Sequence, residues 1–153
     1  MSDEAPLIGP DILSGILVKA TGQSVYDFAT ENLFSPLEIV VENSLTFHSK
    51  KEQMAFNQAT NISGWVADPM GIHTAGWGLT PMDMAKIGQL YLNGGMWDGK
   101  RIVSQKWVEE STREHSRWKK PNLPYGYLWW VNENGFAAMG DGGNIIYVNT
   151  GKK

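Results

Sequence analysis

The chain contains no cysteine in its 153 residues. Disulfides and thiolate chemistry are therefore excluded, although the compartment stays open. No apolar run approaches the length of a membrane span. The opening MSDEAPLIGP is acidic and poor in apolar residues, so neither a signal peptide nor a membrane partner is expected and localisation is unassigned. Positive charge is scarce: 13 Lys and Arg stand against 16 Asp and Glu, for a net charge of −3. Phosphate backbones require clustered cations, and the basic clusters here are short, at Arg117–Lys120 and at Lys152 and Lys153. Nucleic acid is thus not an expected partner. The three His (His48, His73, His115) lack metal-ligand spacing and no carboxylate pair stands out, so neither a metal site nor a cofactor is expected. Repeats and low-complexity tracts are missing as well.

What is present suits a globular domain. Hydrophobic residues make up 42% of the chain, enough to bury a core at this length. Seven Trp point to a packed core or a ring-lined cleft. Residues 10–21 read as a helix, with Ile12, Leu13, Ile16, Leu17 and Ala20 on one face and Gly22 placed to stop it. Ser24 caps a second helix, with Asp27 at the capping-box position, and Ser35-Pro36 ends it. Residues 38–75 carry a weaker pattern, interrupted by polar residues and by the turn Asp68–Gly71.

Thr80-Pro81-Met82-Asp83 is a strong helix start, combining a Thr cap, Pro at the first helical position and Asp three residues after the cap. That helix should reach about Leu92 and break at Asn93-Gly94-Gly95. Trp97–Lys100 reads as a tight turn, and Ser104 caps a short helix through about Ser111. Tyr125–Val131, Phe136–Met139 and Ile145–Val148 read as strands, with a hairpin turn at Asn132–Gly135. Helices first and strands last predict an α+β fold with two or three antiparallel strands.

The block GWGLTPMDMAKIGQLYLNGGMWDGKRIVSQKWVEES, from Gly76 to Ser111, resembles the serine β-lactamase and penicillin-binding-protein family. The side resembled is that of the class C-like β-lactamases and the related bacterial esterases and D-Ala-D-Ala carboxypeptidases. Upstream, ILSGILVKATGQSVYDFATENLFSPLEI looks like the helix pair after that family's second catalytic motif. Downstream, YGYLWWV and AAMGDGGNIIYV look like the strands that carry its third motif. The resemblance runs from about Ile12 to Val148. It implies a partial β-lactamase-like fold over residues 1–153, a single domain lacking the nucleophile segment and the final strand and helix.

The resemblance also implies hydrolysis of a β-lactam, a peptide or an ester through an acyl-serine. Such chemistry requires a Ser-x-x-Lys nucleophile at a helix start, a Tyr relay and backbone donors for the oxyanion. In that family the Ser-x-x-Lys helix lies well upstream of the helix that begins here near Pro10, so it is not expected in this chain, and Ala5 aligns with the tyrosine. The third motif aligns with Asp141, Gly142 and Gly143, and the backbone N–H of Asn144 becomes the oxyanion candidate. No confident catalytic residue follows. An acidic residue at position 141 would repel a substrate carboxylate.

Other matches read as structural. Ser116-Arg117-Trp118-Lys119 reads as a solvated basic loop before Pro121. Tyr91-Leu92-Asn93 closes a helix, and Tyr147-Val148-Asn149 lies on an edge strand before a turn. His73–Gly76 reads as a loop in the wrong place for the third motif. Asn61-Ile62-Ser63 is a glycosylation sequon by pattern only. Gly140–Gly143 lacks the Lys-Ser/Thr ending of a phosphate loop and reads as a tight strand entry. Trp77, Trp129 and Trp130 are candidates to line a pocket, with core packing as the alternative.

Two functional expectations remain. One is a family serine hydrolase that takes a small carboxylate or acyl substrate, with this chain inactive alone. The other is a non-catalytic, degenerate or truncated member acting as a binding protein. A homo-oligomer is expected to cover the strand edges in Tyr125–Val131 and Ile145–Val148.

Overall fold

The computed structural model describes residues 8–41, 44–47, 49, 51, 52, 55, 73–120, 122–140 and 143–151. The chain divides into two compact units, residues 1–79 and 80–153. The fold class is α+β, as expected.

In the first unit, helix α1 (Ile8–Thr21) ends where expected. Gly22 takes a left-handed φ of 72° and its N–H bonds the Val18 carbonyl at 2.8 Å. The predicted face is not what is buried. Ile12, Leu13 and Ile16 are exposed, whereas Val18 is buried. Periodicity identifies an apolar stripe but not the element that covers it.

Ser24 caps helix α2 (Val25–Ala29), accepting from the Asp27 N–H and donating to its carboxylate. The chain does not stop at Ser35-Pro36. A π turn (Thr30–Phe34) runs into a 3-10 turn (Ser35–Leu37), and Glu38 ends it at a left-handed φ of 53°. Pro36 is tolerated because an N–H in a first helical turn has no partner to lose. Phe34, Leu37 and Ile39 form the buried heart of this segment.

The weak stretch hides a strand pair, β1 (Ser44–Phe47) with β2 (His73–Trp77), antiparallel and irregular between Leu45 and Thr46. His73–Gly76 is therefore strand, not loop. Its partner lies far away in sequence, so local pattern carried little signal.

In the second unit, Thr80 and Asp83 build the predicted capping box of helix α3 (Pro81–Leu92). The Asp83 carboxylate accepts from the Thr80 N–H at 3.0 Å and from its hydroxyl at 2.7 Å. Strands β3 (Met96–Trp97) and β4 (Lys100–Arg101) form a hairpin. Both of its turn residues, Asp98 and Gly99, have positive φ, as a two-residue hairpin requires. Ser104 then caps helix α4 (Gln105–Ser111).

A five-stranded antiparallel sheet follows, with β5 (Ser116–Trp118), β6 (Leu123–Tyr125), β7 (Trp130–Asn132), β8 (Gly135–Met139) and β9 (Ile145–Asn149) in that spatial order. Five strands replace the two or three expected. Tyr125–Val131 is not one strand but a hairpin in which Tyr125 faces Trp130. The Gly126 N–H bonds the Trp129 carbonyl at 2.7 Å, and Leu128 sits at a φ of 63°. The Tyr127 N–H bonds the Ser111 carbonyl at 2.8 Å, tying this turn to α4. A Cβ on Gly126 would lie 2.3 Å from that carbonyl oxygen, so only glycine fits.

α3 packs on β9, and the core between helix and sheet is aromatic. Trp129, Phe136 and Val148 are buried, with Tyr91, Ala138 and Ile146 packed against them. The Tyr91 and Trp129 rings lie 4.6 Å apart, and those of Trp129 and Phe136 lie 5.0 Å apart.

Two predictions follow from these contacts. Gly126→Ala should destabilise the domain by about 3 kcal/mol in urea unfolding, because the methyl meets backbone rather than a yielding side chain. Thr80→Ala should cost about 1 kcal/mol and weaken the acid dependence of stability. The Thr80 hydrogen bonds hold the Asp83 carboxyl below its ordinary value of 3.8. Its contribution is thus complete above that value and is lost as pH falls through the lower folded value. The gap between the unfolding midpoints of the two proteins should narrow at the acid end without closing, because the Thr80 hydroxyl also accepts from the Asp83 N–H.

Candidate functional site

The third-motif alignment points to the β8–β9 connection. Asp141 and Gly142 lie outside the described residues. On either side of them, the Gly140 N–H bonds the Asn144 carbonyl at 2.8 Å, and Gly143 takes a φ of 84°. A Cβ at Gly143 would meet open space, so backbone conformation rather than crowding favours glycine there. The Asn144 carbonyl is thus committed to closing the turn.

Beside this connection, α3 and β9 enclose a groove of about 480 Å³. Met84, Ala85, Gly88 and Leu92 line one wall, and Ile146 and Val148 contribute to the other. Among the described residues, its lining holds no carboxylate, imidazole, amine or serine hydroxyl; the polar members are Gln89, Tyr147 and Asn149. Such a surface can bind apolar or backbone groups. It offers no nucleophile with an adjacent base.

The matches to catalytic motifs fall elsewhere. Ser116 and Lys119 are not on a helix. Ser116–Trp118 is the exposed edge strand β5, which replaces the predicted loop. Lys119 lies in the turn after that strand, so it is not placed one helical turn from Ser116 as the motif's chemistry requires. Arg117 is paired with Glu114, its Nε 2.7 Å from the carboxylate, which lowers the Glu114 pKa. The Arg113–Glu110 pair does the same for Glu110.

Tyr91 belongs to the core cluster, and Asn93 caps α3, its side chain accepting from Gln89 at 2.9 Å. Tyr147 is half-exposed on β9. His115 stacks on Tyr127 at 4.0 Å, and Tyr127 stacks on Trp107 at 5.7 Å. His73 lies on β2, and the Trp77 side chain is outside the described set. His48 and the Asn61–Ser63 sequon are also outside it.

The adjacent tryptophans do different jobs. Trp129 is buried with Tyr91 and Phe136, whereas Trp130 faces away with Tyr125 and Trp118, at 4.6 and 5.4 Å. They do not line one pocket. Burial also raises the Tyr125 hydroxyl pKa, which opposes a role as a proton acceptor near neutrality.

Sequence reasoning missed the groove and its key residue, Gly88. A glycine inside an amphipathic helix was the available signal. Among the described residues, no group of three or more His, Asp or Glu stands together in a metal-holding arrangement, and no helix is long and apolar enough to cross a membrane.

Comparison with known proteins gives this geometry a context. No family profile matches the chain. Over 151 residues it is 26% identical to a 6-aminohexanoate-dimer hydrolase of Paenarthrobacter ureafaciens, covering 91% of this chain and 34% of that protein. A solved structure, described as a putative 6-aminohexanoate-dimer hydrolase from Bacillus anthracis, superposes with a TM-score of 0.58 at 25% identity, over 91% of this chain and 33% of that one. The chain is similar to hydrolases and shares part of their fold. It spans about a third of the length of the curated relative it matches.

The split between the tryptophans is measurable. Trp129→Ala should cost about 3–5 kcal/mol in unfolding free energy. Trp130→Ala should cost less than about 2 kcal/mol, since its ring stays partly in water. Equal losses would contradict two separate aromatic clusters.

Proposed function

We propose that this chain is the sheet-bearing part of a β-lactamase-like serine hydrolase. It would supply a wall and scaffold for amide, ester or β-lactam hydrolysis and be silent by itself. The observation that carries this reading is the similarity of 91% of the chain to two proteins named 6-aminohexanoate-dimer hydrolase, one by sequence and one by fold. In acyl-serine hydrolysis a serine Oγ attacks the carbonyl, the amine or alcohol leaves with a proton, and water then releases the acid. The 6-aminohexanoate dimer in the relatives' name is a linear amide, so a linear amide is the first substrate to test.

The silence rests on the residues present. In the one Ser-x-x-Lys of the sequence, Ser116 lies on an exposed strand and Lys119 in the turn after it, and among the described residues the groove at the other end of the sheet is lined by no serine. The purified chain should therefore leave the 6-aminohexanoate dimer, a chromogenic cephalosporin and a nitrophenyl ester unhydrolysed above background. Turnover of any of them, abolished by Ser116→Ala, would overturn the reading.

The third-motif position supplies a second test. Asp141 would place negative charge beside the backbone N–H of Asn144 and oppose an anionic ligand. Asp141→Lys should raise affinity for a small carboxylate or a boronate, without restoring turnover. Equal affinity for the Asp, Asn and Lys forms in a calorimetric titration would leave Asp141 with a turn role alone.

A further inference from the structure

Asparagine is followed by glycine at two places in the chain, Asn93-Gly94 and Asn134-Gly135. Such pairs share a latent reaction: the glycine nitrogen, shielded by no Cβ, attacks the asparagine Cγ once it has lost its proton. In both pairs the glycine N–H must first leave a neighbour. Gly94 donates to the Tyr91 carbonyl at 3.0 Å, and Gly135 faces Asn132 across the last pair of the β7–β8 ladder. The surroundings of the two asparagines differ. Asn93 ends α3, and its carboxamide oxygen is held by Gln89 at 2.9 Å. Its backbone carbonyl accepts from the Met96 N–H at 3.3 Å.

Asn134 is exposed in the β7–β8 turn. Its N–H donates to the Asn132 Oδ1 at 2.8 Å, whereas among the described residues its carboxamide makes no hydrogen bond. Its backbone carbonyl oxygen is the crowded atom. It accepts from the Thr150 N–H at 2.8 Å, from the Gly151 N–H at 3.2 Å and from the Thr150 hydroxyl at 3.4 Å. That oxygen shares a peptide unit with the Gly135 nitrogen. When Gly135 loses its proton, negative charge spreads onto the Asn134 oxygen, where the donors already point. Hydrogen bonds to a charged acceptor are roughly twice as strong as neutral ones, so these donors favour the anion over the neutral amide.

We propose that Asn134 is a site of self-modification by deamidation, promoted by the donors at Thr150 and Gly151. Water or hydroxide takes the Gly135 amide proton, and the nitrogen attacks the Asn134 Cγ. The bond from Cγ to the side-chain nitrogen breaks, ammonia leaves, and a succinimide ring closes. Water then opens the ring at either carbonyl. One opening leaves aspartate at position 134, and the other leaves isoaspartate, in which the chain runs through the side chain. One water enters, one ammonia leaves, and nothing is oxidised or reduced. Isoaspartate adds a methylene to the backbone and displaces the carbonyl that Thr150 and Gly151 hold. The tie between this turn and the end of β9 is then lost.

The test is peptide mapping by mass spectrometry after incubation at mildly alkaline pH, for the folded chain and for the chain in urea. Electron-transfer fragmentation localises each conversion and separates isoaspartate from aspartate. In the folded chain Asn134 should convert at least about tenfold faster than Asn93, the difference that one charge-assisted hydrogen bond supplies. In urea the two rates should come close together. Thr150→Pro removes the 2.8 Å donor and should slow Asn134 severalfold in the folded chain, with Asn93 unchanged. Thr150→Val keeps that N–H and removes only the hydroxyl, so it should slow Asn134 less. Unfolding midpoints show that each variant is folded. An unconverted Asn134, equal rates for the two asparagines in the folded chain, or conversion of Asn134 at the wild-type rate in both folded variants would each overturn the proposal.

Discussion

How closely α3 can lie on β9 governs the arrangement of residues 80–153. A Cβ on Gly88 would lie 3.0 Å from the Ile146 Cγ2 and 3.6 Å from the Val148 Cγ2. Glycine lets the helix settle onto two β-branched side chains, and its cost to helix propensity, about 1 kcal/mol, is offset by that contact. With the helix this low, Tyr91 reaches Trp129 and Phe136, and the aromatic cluster closes. The groove beside the helix follows from the same approach. A larger residue at 88 would lift α3 and loosen both.

The sheet has a second fixed point at the other end. The 126–129 turn is held by the backbone bond from the Tyr127 N–H to the Ser111 carbonyl, and the His115, Tyr127 and Trp107 rings stack beside it. This sets where β7 begins and hence which tryptophan faces α3. Shifting the register by one residue would exchange Trp129 and Trp130 between faces and place a half-exposed ring in the core. The aromatic richness of the chain is thus divided between two clusters.

The parts most legible in the sequence were those governed by local chemistry. The Thr80–Asp83 capping box, the Asp98-Gly99 hairpin and the Ser104 cap each involve residues within four positions, and each forms. The parts that depend on distant partners were less legible. β1 and β2 lie about thirty residues apart in sequence, and YGYLWWV looked continuous because the constraint on Gly126 comes from Ser111. Ser116–Trp118 is strand because it pairs with Leu123–Tyr125, a contact that no basic-loop composition reveals. At the candidate site, Ser116 lies on a strand and Tyr91 in the aromatic core cluster, placements set by pairing and packing rather than by the short motifs themselves. The groove went unnoticed because its walls are ordinary apolar residues brought together by packing.

We infer that this chain carries part of a hydrolase-like fold and does not by itself form an acyl-serine. Intact-mass measurement after incubation with a fluorophosphonate and, separately, with a penicillin tests it most directly, because both probes report covalent capture without requiring turnover. The account predicts an unmodified mass with each probe. A stoichiometric adduct mapped to any serine, Ser116 above all, would contradict it.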